Sequence, residues 1–356
     1  MKSAFPVAVA VGLAACTASG ITDNTGNALP ENRGVQVQLN VAVLLGSEIV
    51  WSPDGGEILF QTDESQPRLM AAPLNGGSAR LIDGPRDAYT SIAVSPDGST
   101  VYFAADLQAG RRSSYSVPAA GGAATRIAST SSLVARIPAD GGLVLPSPDG
   151  NGFAFTAAPD TLYYSTAGGS TRIGNGCERV VRFSPDSRHV LCQRGVLTAG
   201  SYSAADLQTK TIQSVDVVPQ AQGSLHNVQW TSAGIRSTIL NPVGFELWDV
   251  SSSQSTLVWT APQRGSIAVD TRNGAWTAGG DRIAFWLVEC LKQRGFSQCD
   301  EGQSLLYVVQ LASQRSGIVA VARGVQAGQA MAFSPDGQRI AYVFDGKIYH
   351  QSTAIP

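Results

Sequence analysis

Charge is scarce in this 356-residue chain: 25 Lys and Arg and 27 Asp and Glu make up 15% of it, against roughly a quarter in ordinary soluble domains. The formal net charge of -2 leaves no basic excess, so nucleic acid is not an expected partner. Enzyme signatures are missing too. There is no Gly-x-Ser-x-Gly nucleophile elbow, no His-Glu-x-x-His zinc motif and no Gly-x-x-x-x-Gly-Lys phosphate loop. No hydrolase domain is expected beyond the repeats, which run to the end at Pro356. A sustained 3.6-residue apolar period is absent as well, which argues against a helical fold. What is abundant is glycine, at 38 residues, together with Ser and Thr, a composition that suits many short strands joined by turns.

The start of the chain is separate from that pattern. "MKSAFPVAVAVGLAAC" carries one cation, Lys2, and an apolar run from Ala4 to Ala15 that is too short to span a bilayer, so it reads as a secretory signal. Its last four residues, Leu13-Ala14-Ala15-Cys16, resemble the bacterial lipobox. The resemblance implies cleavage before Cys16, a thioether-linked diacylglycerol on its sulfur and an acylated new N-terminus, which together hold a protein to a membrane stably. The alternative is a plain secretory signal with a chance cysteine. Thr17, where enteric inner-membrane lipoproteins carry Asp, favours the outer membrane of a bacterial envelope. The expected division is therefore a signal at 1–15, a lipidated Cys16 with a polar tether through residue 34, and one domain over 35–356.

That domain is repetitive. Ser-Pro-Asp-Gly occurs at Ser52, Ser95, Ser147 and Ser334, each time between alternating apolar runs, as in "FSPDGQRIAYVF". Proline presets φ for a tight turn and the glycine accepts positive φ, so each copy predicts a short hairpin. Weaker copies begin at Ser184, Thr231 and Thr277. Gly76-Gly77, Gly121-Gly122 and Gly168-Gly169 mark a second hairpin in three units. Spacings of 37 to 57 residues between turn starts then describe a unit of four antiparallel strands, one blade of a β-propeller. The expected fold is an all-β propeller with seven blades, six being the alternative.

The segments "WSPDGGEILF", "VSPDGSTVYF", "PSPDGNGFAF" and "FSPDSRHVLC", with Gly-Gly, two or three further residues and an Arg behind three units, resemble the TolB-type propeller repeat over about residues 35 to 356. The resemblance implies the fold and makes a protein partner in the cell envelope natural; it implies no activity. Only two strands follow the last turn, so "VQVQLNV", residues 36–42, is expected to complete the last blade and close the ring. Cys177 and Cys192 lie nearly equidistant from the Pro185-Asp186 turn and are expected to form a disulfide, free buried thiols being the alternative. Cys290 and Cys299 bracket "LKQRGFSQ" and would staple that loop. A four-cysteine metal site is disfavoured because no Cys-x-x-Cys pair exists.

Function is expected on the irregular face, opposite the Ser-Pro-Asp-Gly turns, and at the channel mouth. Glu178, Arg182, His226 and Asp270 fall on or beside innermost strands and are candidates to line the channel, where polar groups most simply coordinate water. Arg111, Arg112, Lys292 and Arg294 are loop cations whose plainest role is solubility. His189 and His350 fall in second and third strands of different blades, away from the axis, which disfavours a shared histidine metal site. The Asp of each turn most simply binds local amides. The leading expectation is a monomeric, lipid-anchored, non-enzymatic binding or scaffold module, without cofactor, for a protein or envelope polymer. The alternative is a propeller lyase or lactone hydrolase with calcium or another metal in the channel; a structural propeller without a ligand is the third reading.

Overall fold

The structure is a computed structural model that describes residues 31–108, 111–126, 145–157, 160–193, 201–216, 225–232, 234–241, 244–249, 256–260, 266–294, 298–313, 315–324 and 330–355. Every regular element among them is a strand, and the strands form seven antiparallel four-stranded sheets, numbered 1 to 7 here from the first Ser-Pro-Asp-Gly turn onward. The first strand of each sheet touches first strands of neighbouring sheets and faces the axis of a propeller. These inner strands are Val50–Trp51, Thr90–Val94, Leu145–Pro146, Arg179–Phe183, Leu225–Thr231, Ser266–Trp276 and Met331–Phe333.

The repeated tetrapeptide folds as its chemistry dictates. In sheet 7, Ser334 Oγ donates to Asp336 Oδ1 at 2.5 Å and accepts the Arg339 N–H at 2.9 Å, while Asp336 accepts the Gln338 N–H at 3.0 Å. Serine, aspartate and two backbone amides thus satisfy one another within six residues, and Gly337 closes the turn at φ 67°. The same bonds recur at Ser52, Ser95, Ser147 and Ser184. Sheet 6 reaches the same result with different residues: Thr277 Oγ1 donates to Asp281 at 2.6 Å and accepts the Arg282 N–H. Its aspartate has moved two positions along the turn. Sheet 5 departs from expectation, because Thr231 pairs directly with Gly234, a tighter reversal than in the other sheets.

The turns also touch around the axis. Ala-sized space at Gly98 and Gly150 is bounded by the preceding sheets' prolines, Pro53 and Pro96, and that at Gly55 by Pro335. Arg339 donates to the Gly55 carbonyl at 2.7 Å, and Arg282 to the Gly337 carbonyl at 3.0 Å. Where Ser187 replaces the turn glycine, it adopts φ 59° and its hydroxyl accepts the Asp149 N–H of sheet 3 at 3.0 Å. Turns of neighbouring sheets therefore touch or bond one another along one face of the molecule.

Sheets 1 and 7 meet in one apolar cluster built from Val37, Trp51, Ile58, Phe60, Val343 and Ile348, and Trp51 Nε1 donates to the Ala332 carbonyl at 2.9 Å. The N-terminal strand closes sheet 7, pairing Val35 with His350 and Gln36 with Tyr349. The paired stretch is shorter than the expected 36–42: Val37 still bonds Ile348, after which the chain leaves the edge and Val43 bridges Thr62 of sheet 1. Residues 31–34, assigned from sequence to the tether, are already engaged. Asn32 exchanges both backbone bonds with Val321 on the outer strand of sheet 6, at 3.0 and 2.8 Å. Tyr342 Oη donates to the Arg33 carbonyl and the Arg33 guanidinium lies over the Phe344 ring at 4.9 Å. Gly34, at φ 68°, reverses the chain between these two seams.

Cys177 and Cys192 form the expected disulfide, with Cα atoms 5.1 Å apart. The segment around Cys290 and Cys299 differs from expectation in the extent of its strands. The strands run further than expected, Arg282–Arg294 pairing with Gln298–Gln310, with Cys290 facing Gly302 and Cys299 facing Gln293. The two cysteines are not cross-strand partners, and their side chains lie outside the described residues.

Candidate functional site

The inner strands cannot all be regular where they crowd the axis. Four of them break register at one level: sheet 2 between Thr90 and Ala93, sheet 4 between Val180 and Arg182, sheet 5 between His226 and Gln229, and sheet 6 between Asp270 and Ala275. Such a bulge re-aims the side chains that follow it. Its effect is visible in sheet 4. Val180 and Arg182 would share a face in a regular strand, yet Val180 is fully buried while Arg182 is exposed to water.

Arg182 faces an opposite charge. Glu48 precedes the inner strand of sheet 1, is likewise exposed, and accepts the Ile92 N–H of sheet 2 at 3.2 Å. The Arg182 guanidinium acts on this carboxylate, although sheets 2 and 3 separate their strands along the ring; both groups stand on or directly before innermost strands and are reached by water. The surrounding wall of protein raises the Glu48 pKa, and Arg182 and the Ile92 N–H oppose that shift. The same enclosure lowers the Arg182 pKa, opposed by Glu48. Among the described residues Arg182 has no hydrogen bond and Glu48 no ion pair. A solvated, unpaired guanidinium in such a space is a ready partner for a carboxylate, phosphate or planar amide.

The sequence candidates fare unevenly. Arg182 stands on the inner strand Arg179–Phe183, exposed to water. Glu178 sits at the mouth of the same strand, half-buried, its backbone bonded to Gln193 and to the Thr156 hydroxyl. His226 and Asp270 occupy the last paired positions before two of the register breaks, with side chains outside the described residues. The side chains of Arg111, Arg112, Lys292 and Arg294 also lie outside them. On the backbone Arg111 pairs with Gln108, and Lys292 and Arg294 belong to the strand Arg282–Arg294 of sheet 6 rather than to a loop. Of the irregular segments, residues 127–144, 194–200 and 217–224 lie outside the described residues. Glu48 was missed. Its only signal is a lone carboxylate directly before "IVW", a position that becomes axial only once the ring is closed.

The turn face offers a different cavity, a cleft of about 430 Å³ between sheets 1 and 2 lined by Asp54, Glu57, Arg80 and Asp97 among others. Its charges are spent locally: Arg80 pairs with Glu57 at 2.5 Å and donates to the Ala119 carbonyl, while Asp54 and Asp97 are held by their turns. Among the described residues no group of three or more His, Cys, Asp or Glu converges, and no helix is long and apolar enough to cross a membrane.

No protein-family model and no curated protein matches the chain. Solved structures do. An oligogalacturonate lyase from Vibrio parahaemolyticus is 11% identical, with 88% of this chain and 91% of that chain covered and a TM-score of 0.62. The β-propeller domain of Cps50 (Swd1) from Myceliophteria thermophila is 14% identical, covering 91% and 100%, with a TM-score of 0.57. TolB from Acinetobacter baumannii is 14% identical over 78% of this chain and 63% of that chain, with a TM-score of 0.44, too low to support an argument. At these identities the likeness shows a shared fold: the chain is similar to β-propellers.

Proposed function

We propose that this protein is a lipid-anchored binding module of a bacterial envelope, a rigid propeller that grips a protein or envelope polymer at the mouth of its central channel. The observation that carries the reading is the register break shared by four inner strands, at the level of Arg182, which has no hydrogen-bond or ion-pair partner among the described residues. The turn face behaves differently, since its recurrent polar groups bond to each other and form the frame. Cys16 supplies the tether to the membrane, and the outer membrane is the favoured address from Thr17.

A photo-crosslinking residue placed at 182 in cells, beside one at the exposed turn position Gln338, tests the site. A discrete adduct with an envelope component from position 182 and none from 338 is expected. Adducts from both positions alike would refute a channel site. Stoichiometric metal in the purified protein, lost on changing Asp270→Asn, would replace the binding reading by the lyase or lactone hydrolase. In the same cells Cys16→Ala should release the protein from the membrane fraction. A Cys16→Ala variant that still sediments with membranes and incorporates labelled palmitate would refute the anchor.

A further inference from the structure

We infer that the gap between Glu48 and Arg182 recognises a zwitterionic α-amino-acid centre, carboxylate on Arg182 and ammonium on Glu48; the inference rests on the channel being the binding site. Three observations carry it. The two groups bear opposite charges on non-adjacent walls of the channel, both are reachable by water, and each is left without an opposite charge in contact among the described residues. Complementary charges that face each other without touching leave room for a ligand that satisfies both.

Their spacing fits. Val50 of sheet 1 and Arg182 of sheet 4 stand at the same height above their turns, since Val50 pairs with Leu59 as Arg182 pairs with Leu191, each one residue from the last pair before the turn. Glu48 lies two residues further from the turn face, an axial offset of about 7 Å at the rise of an extended chain. An α-ammonium and α-carboxylate with a hydrogen bond at each end span about 8 Å. A lone anion would satisfy Arg182 and leave Glu48 as a repelling neighbour; a lone cation would do the reverse. A dipolar group meets both, and the walls around the channel strengthen each contact relative to open water.

The chemistry is shared by free amino acids and by amino-acid centres carried on a polymer or peptide. Isothermal titration of the full-length protein in detergent separates them, using glycine, glycinamide, N-acetylglycine and Nε-acetyl-L-lysine. Glycine is expected to bind at least roughly tenfold more tightly than glycinamide or N-acetylglycine, since each lacks one charge-assisted contact. Equal affinity of Nε-acetyl-L-lysine and glycine assigns the site to free amino acids; a gain of tenfold or more for the acetylated lysine assigns it to a side-linked centre on a larger chain. Arg182→Gln should abolish the preference for glycine over glycinamide, and Glu48→Gln the preference over N-acetylglycine, effects that general loosening of the fold does not mimic. Arg182→Lys keeps the charge and should retain part of the preference if Arg182→Gln fails to fold. No saturable heat with any of the four probes, or preferences unchanged in the variants, would overturn the inference. An adduct from position 182 alongside such a negative result would remove the zwitterion and leave the binding module standing.

Discussion

Replacing Gly34 by alanine isolates what holds the two chain ends together. At φ 68° a side chain carries about 1 kcal/mol of backbone strain. A Cβ there would also stand 2.8 Å from the His350 carbonyl oxygen and 3.0 to 3.1 Å from the Gln351 side chain, and a backbone carbonyl in a ladder cannot retreat cheaply. Overpacking of this kind costs a further 1–3 kcal/mol or so. Gly46 provides the control: it has φ 74° but nothing within 4 Å of its would-be Cβ. Gly46→Ala should therefore lose about 1 kcal/mol and Gly34→Ala about 2–4 kcal/mol, the excess arising only from close approach at the seam. Urea denaturation followed by tryptophan fluorescence measures both, with Trp51 on the seam as a built-in reporter. Equal losses for the two variants would refute the view that the N-terminal segment is tightly seated on sheet 7. So would a fall in the unfolding slope of Gly34→Ala without a shifted midpoint, which would report a changed denatured or native ensemble instead.

Cys177→Ser should destabilise by about 3 kcal/mol or somewhat less in the chain-entropy model, because the bridge closes a 15-residue separation already held by a ladder; a reductant that leaves the wild-type melting temperature unchanged would contradict this. Ser187→Gly relieves the strained φ while losing the bond from Asp149, so it should be nearly neutral, whereas Ser187→Ala loses the bond and keeps the strain, falling about 1 kcal/mol below it. Equal stabilities of the two would remove the backbone strain assigned to that position. Asp54, Asp97, Asp186 and Asp336 have pKa values lowered chiefly by their serine hydroxyls. A carboxyl whose folded pKa lies below its unfolded value stabilises above the latter, so stability should fall as pH drops below about 3.8 through the folded values. His350 adds an earlier loss: burial lowers its pKa from 6.5, so acid favours the unfolded chain from about that pH downward, and His350→Asn should flatten the profile between pH 6.5 and 5. A stability profile flat from pH 7 to 3 would refute both assignments.

The fold was legible because its signal is local. Ser334, Asp336 and Gly337 satisfy one another within a single turn, so four intact copies in the sequence suffice to locate the hairpins and hence the sheets. Where one member moved, as Asp281 did relative to Thr277, the function survived but the motif blurred, and at Thr231 both the motif and the loop length changed. Register was less legible: "LKQRGFSQ" reads as a loop because nothing local shows that the strands continue through Lys292 to Arg294. The site was the least legible part. Arg182 could be named from its place in an inner strand, but its exposure depends on a bulge at Val181, and Glu48 gains meaning only from a residue more than a hundred positions away across a closed ring. Long-range geometry of that kind has no sequence period to announce it.

The clamped segment from Glu31 to Val37 has a mechanical meaning. Traction arriving through the amino-terminal leader reaches the body first at Asn32 on sheet 6 and next at Val35 on sheet 7, the same sheet that ends the chain. A pull applied to the chain ahead of Glu31 is thus borne at the rim, on a few strand-edge bonds and one arginine lodged over Phe344, before any of it is felt by the apolar interior. Under load the ring would give way at its fastening rather than at its walls.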